Sequence, residues 1–296
     1  MIIEAIPNIS EGRDKVTINA AAQIVRETPG CALLHVESDK DHNRSVLSFI
    51  GGPEGVAEAS FQLAKMCVGR IDLRRHEGVH PRMGAIDVLP FVPVRGATME
   101  DCAALARSVG ERIWQELKLP VYLYEQAAEL PHRKDLADVR RGQFEGLSEK
   151  MLRPEWAPDF GDCAPHPSAG AVAVGARAPL VAFNMHLDTR DVRIAKAIAK
   201  AVRASSGGLE CVKALGLYLP GRDCAQVSLN MTDHTKTPLH RALELCKAEA
   251  ARHGAKVTDC EIIGLAPMRA LADSAIYYMQ LDGFDPSQQI LESRLF

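Results

Sequence analysis

Residues 180–187 read Leu-Val-Ala-Phe-Asn-Met-His-Leu and predict a strand. The predicted elements that follow are a helix over 190–204, strands over 211–219 and 225–230, a helix over 238–251, a strand over 256–263 and a helix from Pro267. This β-α-β-β-α-β order is shared by two-layer ferredoxin-like units. The second half of the chain is therefore predicted to be an α/β sandwich.

The first half of the chain begins with elements in the same order. They are a strand over 2–6, a helix over 14–27, a buried strand over 31–36, a strand over 45–50, a helix from Pro53 and a strand over 85–94. A helix over 100–117 and a short strand over 121–124 follow. We therefore predict an α+β fold of two α/β-sandwich, ferredoxin-like subdomains, residues 1–177 and 178–296, with a ligand cleft between them.

The composition is that of a soluble globular protein, with 47% hydrophobic and 25% charged residues in a chain of 296. A net charge of −3 argues against nonspecific nucleic-acid binding. The N-terminal residues lack the features of a signal peptide, and no apolar run is long enough to cross a bilayer. The eight cysteines include no C-x-x-C pair, which favours a reducing compartment. We expect a cytoplasmic protein with no nucleic-acid or membrane partner.

A second stretch reads Arg-Arg-His-Glu-Gly-Val-His-Pro-Arg-Met-Gly at residues 74–84, and we call it the histidine stretch. It is too polar and too often interrupted by glycine and proline for a core element. It predicts a loop that carries a site, since such loops commonly present functional groups. Its His76 and His80 also match the H-E-x-x-H pattern of zinc hydrolases, which requires a continuous helix. Gly78 and Pro81 disfavour that helix. A zinc hydrolase stays a less favoured alternative, and no metal is expected.

His80 is a candidate for general acid or base catalysis, because histidine exchanges protons near neutral pH. A carboxylate is expected to orient the ring from a nearby strand end. The candidates are Glu37, Asp39, Asp41 and Asp87. Arginines in the same set of loops can clamp carboxylates in a planar two-point geometry. The candidates are Arg44, Arg82 and Arg95. The site is therefore suited to an anionic small molecule.

Residues 126–168 form a long, charged segment with several prolines and one short helix predicted over 136–141. A connection of this length is usually functional or a linker, and a binding role is predicted here. The chain contains no G-x-x-x-x-G-K-[ST], G-x-G-x-x-G or G-x-S-x-G pattern. This removes the usual nucleotide-binding and serine-hydrolase interpretations.

Several motifs occur in order between residue 3 and about residue 278. They are Pro-Asn-Ile-Ser-Glu-Gly at 7–12, the histidine stretch and Ala-Ile-Asp-Val at 76–88, Pro-Val-Arg-Gly at 93–96, Val-Tyr-Leu-Tyr at 121–124, Glu-Trp-Ala-Pro-Asp-Phe-Gly at 155–161, Ala-Phe-Asn at 182–184 and Gln-Val-Ser at 226–228. With these motifs the chain resembles glutamate formimidoyltransferase, which is the transferase part of the vertebrate formimidoyltransferase-cyclodeaminase and a separate protein in many bacteria.

The resemblance implies transfer of a formimino group from N-formimidoyl-L-glutamate to tetrahydrofolate, in histidine degradation, by a homodimer. It implies that His80 is the catalytic acid/base, that Glu37 stands where the family has an assisting aspartate, and that arginines hold the glutamate carboxylates. The family's folate-binding segment corresponds to Gly161, Asp162, Cys163, Ala164, Pro165, His166, Pro167, Ser168, Ala169 and Gly170. Since the chain ends where a cyclodeaminase domain would begin, we expect the product to pass to a separate enzyme.

Two positions depart from the family pattern. Glu37 is one methylene longer than the aspartate it replaces, and Ala169 stands where an aromatic residue is expected near the end of the folate segment. Three alternatives therefore stay open. They are a related folate-dependent formyl transfer from N-formylglutamate, a zinc hydrolase that uses His76 and His80, and a folate-binding protein without turnover.

Overall fold

The computed structural model describes residues 1–294, so Leu295 and Phe296, the end of the predicted second subdomain, lie outside the described residues. The chain divides into two compact units, Met1–Ala178 (unit 1) and the residues from Pro179 onward (unit 2). The fold is mixed α+β, and each unit has its own sheet and its own hydrophobic core. This confirms the predicted fold class.

Unit 1 contains one mixed sheet with helices packed on it. Its elements are β1 (Ile2–Ala5), β2 (Asn8–Ile9), α1 (Lys15–Glu27), β3 (Cys31–Asp39), β4 (Arg44–Gly51), α2 (Pro53–Arg70), β5 (Ile86–Arg95), α3 (Met99–Leu117), β6 (Val121–Glu125), α4 (Leu136–Arg140), α5 (Leu147–Met151) and β7 (Val172–Ala176). Both β1 and β2 lie between β4 and β5, and β3 lies beyond β4. The part from β1 to β5 therefore has the predicted ferredoxin-like order, to which β7 and β6 add parallel strands.

Sequence features explain several of these boundaries. Pro7 has no N–H group and separates β1 from β2, although both pair with the same two neighbours. Asp14 caps α1 by accepting hydrogen bonds from the backbone of Val16 and Thr17.

The prediction of a buried strand after residue 31 is wrong, because β3 is at the edge of the sheet and Leu34 is 48% exposed.

The two faces of the sheet in unit 1 carry different clusters. Val121 and Leu123 of β6 belong to the main core with α1, α2 and α3, whereas Tyr122 and Tyr124 point to the other face, as strand alternation requires. There they pack with residues of α4 and α5, among them Met151. The long segment between β6 and β7 therefore covers this second face, where Met83 of the histidine stretch also packs.

Unit 2 has the order that the sequence predicts. Its elements are β8 (Val181–Leu187), α6 (Val192–Val202), β9 (Val212–Leu219), β10 (Cys224–Met231), α7 (Leu239–Arg252), β11 (Val257–Ile263), α8 (Met268–Met279) and α9 (Pro286–Gln289). The strand order is β11-β8-β10-β9, with antiparallel neighbours. Among residues 1–294 no helix is long and apolar enough to cross a membrane.

Candidate active site

The turn between β3 and β4 is joined by hydrogen bonds to the histidine stretch. The His76 Nε2 atom lies 2.8 Å from the carbonyl oxygen of Asn43, whose side-chain amide donates to the Glu77 carbonyl at 3.0 Å. A Cβ atom on Gly78 would lie 2.3 Å from the carbonyl oxygen of His42, so this approach requires glycine. Two segments more than thirty residues apart are thereby held together.

The H-E-x-x-H pattern does not form a zinc-binding helix here. Residues 71–85 are not helical. Both nitrogens of His76 are engaged within the protein, because Nε2 donates to the Asn43 carbonyl and Nδ1 accepts from Arg82 Nε at 3.1 Å. The geometry that the motif requires is therefore missing, and the zinc-hydrolase interpretation loses its structural basis.

His80 is half-buried, and one hydrogen bond fixes its tautomer. Its Nδ1 atom lies 2.8 Å from the carbonyl oxygen of Pro81. A carbonyl oxygen only accepts hydrogen bonds, so Nδ1 carries the proton when the ring is neutral. The Nε2 atom then has a free lone pair, which is the form that a general base requires.

The surroundings of His80 keep the ring neutral. Burial, followed by the positive charges of Arg44, Arg140 and His42, lowers the pKa of His80 well below its ordinary value, while Asp87 opposes this shift. A neutral imidazole at pH 7 can take a proton as soon as one is released. His80 is therefore placed to act as a base.

Asp87 is the buried centre of a charge cluster next to His80. Its carboxylate contacts Arg44 Nη1 at 2.6 Å and Arg140 Nη2 at 2.8 Å, and it accepts from the backbone N–H of Met83 at 2.8 Å. Burial opposes its ionisation, but Arg140 and Arg44 outweigh burial and lower the pKa of Asp87 to about 2. Two guanidinium groups share one carboxylate, so the cluster has one excess positive charge. Such a site attracts anions.

Arg82 is already bound to a carboxylate of the protein. Its two terminal nitrogens contact the carboxylate oxygens of Glu145 at 2.6 and 2.8 Å, and the pair of hydrogen bonds forms a fork. Its Nε atom donates to His76. Its two partners, His76 and Glu145, line an open cleft of about 710 Å³, together with Phe144 and residues 165–167.

Hydrogen bonds from Lys150 stabilise the segment that contains Arg140 and Glu145. The ammonium group of Lys150, at the end of α5, donates to the carbonyl oxygens of Asp138 and Val139 in α4 at 2.6 and 2.5 Å. It also lies 3.8 Å from the ring centroid of Trp156. Burial lowers the pKa of Lys150 to about 8. These contacts fix α4 relative to α5. They thereby help to position Arg140 next to Asp87 and Glu145 at the cleft.

The structure places residues 161–170, which we call the proline-rich loop, against the histidine stretch. The N–H of Leu73 donates to the Ser168 carbonyl at 2.8 Å, and the N–H of Ala85 donates to the Ala169 carbonyl at 2.9 Å. A Cβ atom on Gly84 would lie 2.1 Å from the carbonyl oxygen of Ala171, the residue between this loop and β7. The two parts of the chain that the sequence analysis singled out are therefore neighbours.

The ten loop residues differ in exposure. Asp162, Cys163, Ala164 and Pro167 are exposed, Gly161, Pro165, His166 and Ser168 are partly buried, and Ala169 and Gly170 are buried. Ala169 is part of the hydrophobic core and has no exposed surface. A Cβ atom on Gly170 would lie 3.1 Å from the ring of Phe144, which lines the cleft. Phe144 therefore supplies an aromatic surface beside the loop, in which position 169 is an alanine.

Two predicted site residues, Glu37 and Arg95, do not lie in the cluster around His80 and Asp87. Glu37 lies on the edge strand β3, 3.5 Å from the ring of His35, whereas Asp87 is the carboxylate whose charge acts on His80. Arg95 is exposed at the end of β5, eight residues after Asp87, which is about 26 Å along a strand. The structure therefore brings Arg44 and Arg82 to the histidine stretch but not Arg95.

Sequence reasoning missed Arg140 and Glu145. Both lie in the long segment between β6 and β7, more than fifty residues from the side chains that they contact. Asp87 was one of four carboxylate candidates, and only the structure distinguishes it from the others by its two arginine partners.

Known families and proteins match nearly the whole chain. Residues 2–177 match the N-terminal subdomain of the formiminotransferase domain, and residues 182–292 match the formiminotransferase domain. Glutamate formimidoyltransferase of Streptococcus pyogenes serotype M1 is 49% identical over 99% of this chain and 98% of its own length. The enzyme of the same name from Thermoplasma acidophilum is 44% identical over 99% and 97%. Formimidoyltransferase-cyclodeaminase of Rattus norvegicus is 42% identical over 94% of this chain and 52% of its own length. The chain therefore belongs to the formiminotransferase family.

Proposed function

We propose that this chain transfers the formimino group of N-formimidoyl-L-glutamate to tetrahydrofolate, giving 5-formimidoyltetrahydrofolate and L-glutamate in histidine degradation. The observation that carries this proposal is the neutral imidazole of His80, whose Nε2 lone pair is available beside a positively charged cluster. The names of the relatives with nearly full-length similarity support the same reaction.

The chemistry requires one base and one acid. The pterin nitrogen at position 5 attacks the amidine carbon, and His80 Nε2 accepts the proton that this nitrogen loses. A proton then reaches the glutamate nitrogen, and the C–N bond to glutamate breaks. The excess positive charge around Arg44 and Arg140 attracts the glutamate carboxylates of the donor. General acid/base transfer of this kind contributes about 10²–10⁴-fold to the rate.

Tetrahydrofolate is proposed to bind at the proline-rich loop of residues 161–170. The cleft beside that loop has a volume in the range of ligand sites, and Phe144 offers a face for a flat ring. Arg82 is proposed to bind a substrate carboxylate, in exchange for the carboxylate of Glu145. For the roles proposed for Glu37 and Arg95, the sequence pattern is the only support.

The reaction is tested by mixing the purified protein with tetrahydrofolate and a donor, then acidifying to convert any formimino-folate into the strongly absorbing methenyl form. We expect absorbance with N-formimidoyl-L-glutamate and little with N-formylglutamate. Samples without protein or without tetrahydrofolate serve as controls. A signal only with the formyl donor would replace the proposal by formyl transfer. No signal with either donor, while tetrahydrofolate still binds, would indicate a folate-binding protein without turnover.

We also propose that the protein acts in the cytoplasm as a homodimer and passes its product to a separate cyclodeaminase. The fused name of the rat relative supports the last point. Exposed apolar side chains on α8, such as Leu271 and Met279, at 49% and 65% exposure, support an interface with a second copy. Light scattering during size exclusion measures the oligomeric state directly.

A further inference from the structure

His42 is a second histidine in the site, next to His80. The centroids of the two rings are 5.6 Å apart, and the ring planes are inclined by 54°. The backbone N–H of His42 donates to the Asp39 carboxylate at 2.7 Å. The next residue, Asn43, joins this turn to the histidine stretch through its side-chain amide. These hydrogen bonds hold the turn that carries His42 against the stretch that carries His80.

The Nε2 atom of His42 is buried and has no hydrogen-bond partner among residues 1–294. The residue is only 7% exposed. A buried polar atom without a partner destabilises a folded protein, so proteins keep few of them. His76, by contrast, uses both ring nitrogens for contacts within the protein. A ring nitrogen left free beside a catalytic base points to a partner on the substrate.

The hydrogen bond to Pro81 limits what His80 can do alone. Because it fixes the direction of the ring, Nε2 points to one place, while the reaction needs a proton taken from one nitrogen and given to another. Both nitrogens are bonded to the same tetrahedral carbon and lie about 2.4 Å apart, from bonds of about 1.46 Å. Two rings separated by 5.6 Å can each contact one of these nitrogens.

We propose that His42 is a second catalytic residue, which protonates the departing glutamate nitrogen through Nε2 while His80 accepts the proton of the attacking pterin nitrogen. The inference rests on the proposed formimino transfer. In this step the bond between carbon and the pterin nitrogen forms, and the N–H bond of that nitrogen breaks, with its proton going to His80. The bond between carbon and the glutamate nitrogen breaks, and its electron pair takes a proton from protonated His42. A proton passed from His80 to His42, directly or through solvent, completes the cycle.

The charges in the site agree with this division of roles. The positive charge of His42 is one of the causes that lower the pKa of His80. His80 is thus kept in the form that accepts a proton.

The test uses the full chain with His42→Gln and His42→Ala, compared with His253→Gln, which changes an exposed histidine after α7 in unit 2. We expect His42→Gln to lower kcat with the formimidoyl donor at least ~10²-fold, with the Kd for tetrahydrofolate changed less than about twofold. Added imidazole should restore part of the kcat of His42→Ala. The control variant should keep the parent kcat. Unfolding midpoints show which variants are folded.

A kcat for His42→Gln within about threefold of the parent would overturn the inference. A loss of kcat in folded His42→Ala that imidazole does not restore would also overturn it, since a purely positioning role predicts that result. If His42→Ala does not fold, the kcat of His42→Gln decides. An inactive parent protein would instead contradict the proposed function itself, so the two failures are distinguishable.

Discussion

His80→Gln is expected to lower formimino transfer at least ~10²-fold, with the Kd for tetrahydrofolate nearly unchanged. Glutamine is close in size to histidine but does not accept a proton at neutral pH. The variant therefore removes the Nε2 lone pair that the Pro81 hydrogen bond leaves free. The measurement combines steady-state kinetics with N-formimidoyl-L-glutamate and equilibrium binding of tetrahydrofolate.

His253→Gln provides the matched control for this variant, because it makes the same replacement at an exposed position in unit 2. We expect the control to keep the kcat of the parent. Near-normal turnover in His80→Gln would refute the assignment of the base. A large rise in the Kd for tetrahydrofolate, with kcat unchanged, would assign His80 to binding instead of proton transfer.

Asp87→Asn is expected to lower the free energy of unfolding by about 3–5 kcal/mol, because it leaves Arg44 and Arg140 without their shared counter-charge in a buried place. Urea unfolding at neutral pH measures this change. Asp72→Asn is the control, since it removes the same charge from a surface pair with Arg74, which water and salt screen. We expect the control to change stability little.

The effect of Asp87→Asn should also depend on pH. The pKa of Asp87 is about 2 in the folded protein and about 3.9 in an unfolded chain, so its ionisation stabilises the fold fully above the unfolded value. The difference in unfolding free energy between parent and variant should therefore shrink as pH falls from about 4 towards 2. A loss no larger than that of the control at neutral pH would contradict a stabilising role for the cluster.

The fold could be predicted where apolar residues recur with a clear period and where glycine or proline marks the ends of helices and strands. The strand over residues 180–187 and the elements after it occur in unit 2 in the predicted order. The short helix expected near residue 136 is observed as α4. The edge strand β3 could not be predicted, because an apolar run such as Cys-Ala-Leu-Leu does not reveal whether one or both sides of a strand are paired.

The site could be predicted only in part, since sequence distance and spatial distance differ. Loop position and the family motifs indicated His80, Arg44 and the proline-rich loop, and these are neighbours in unit 1. Arg95 was a candidate because it lies next to the same set of loops in the sequence, but an extended strand carries it about 26 Å away from Asp87. Arg140 reaches Asp87 only because the long segment folds back over the sheet, and no local pattern indicates that contact.

The mechanism depends on the state of one ring, which ¹⁵N NMR of His80 measures directly. Its imidazole signals can be assigned by comparison with His80→Gln and followed from about pH 8 to about pH 5. The structure predicts a neutral ring at pH 6.5 with the proton on Nδ1 and none on Nε2, and protonation only well below that pH. A proton on Nε2 of the neutral ring, or titration at or above the ordinary value of about 6.5, would contradict the role of His80 as the base.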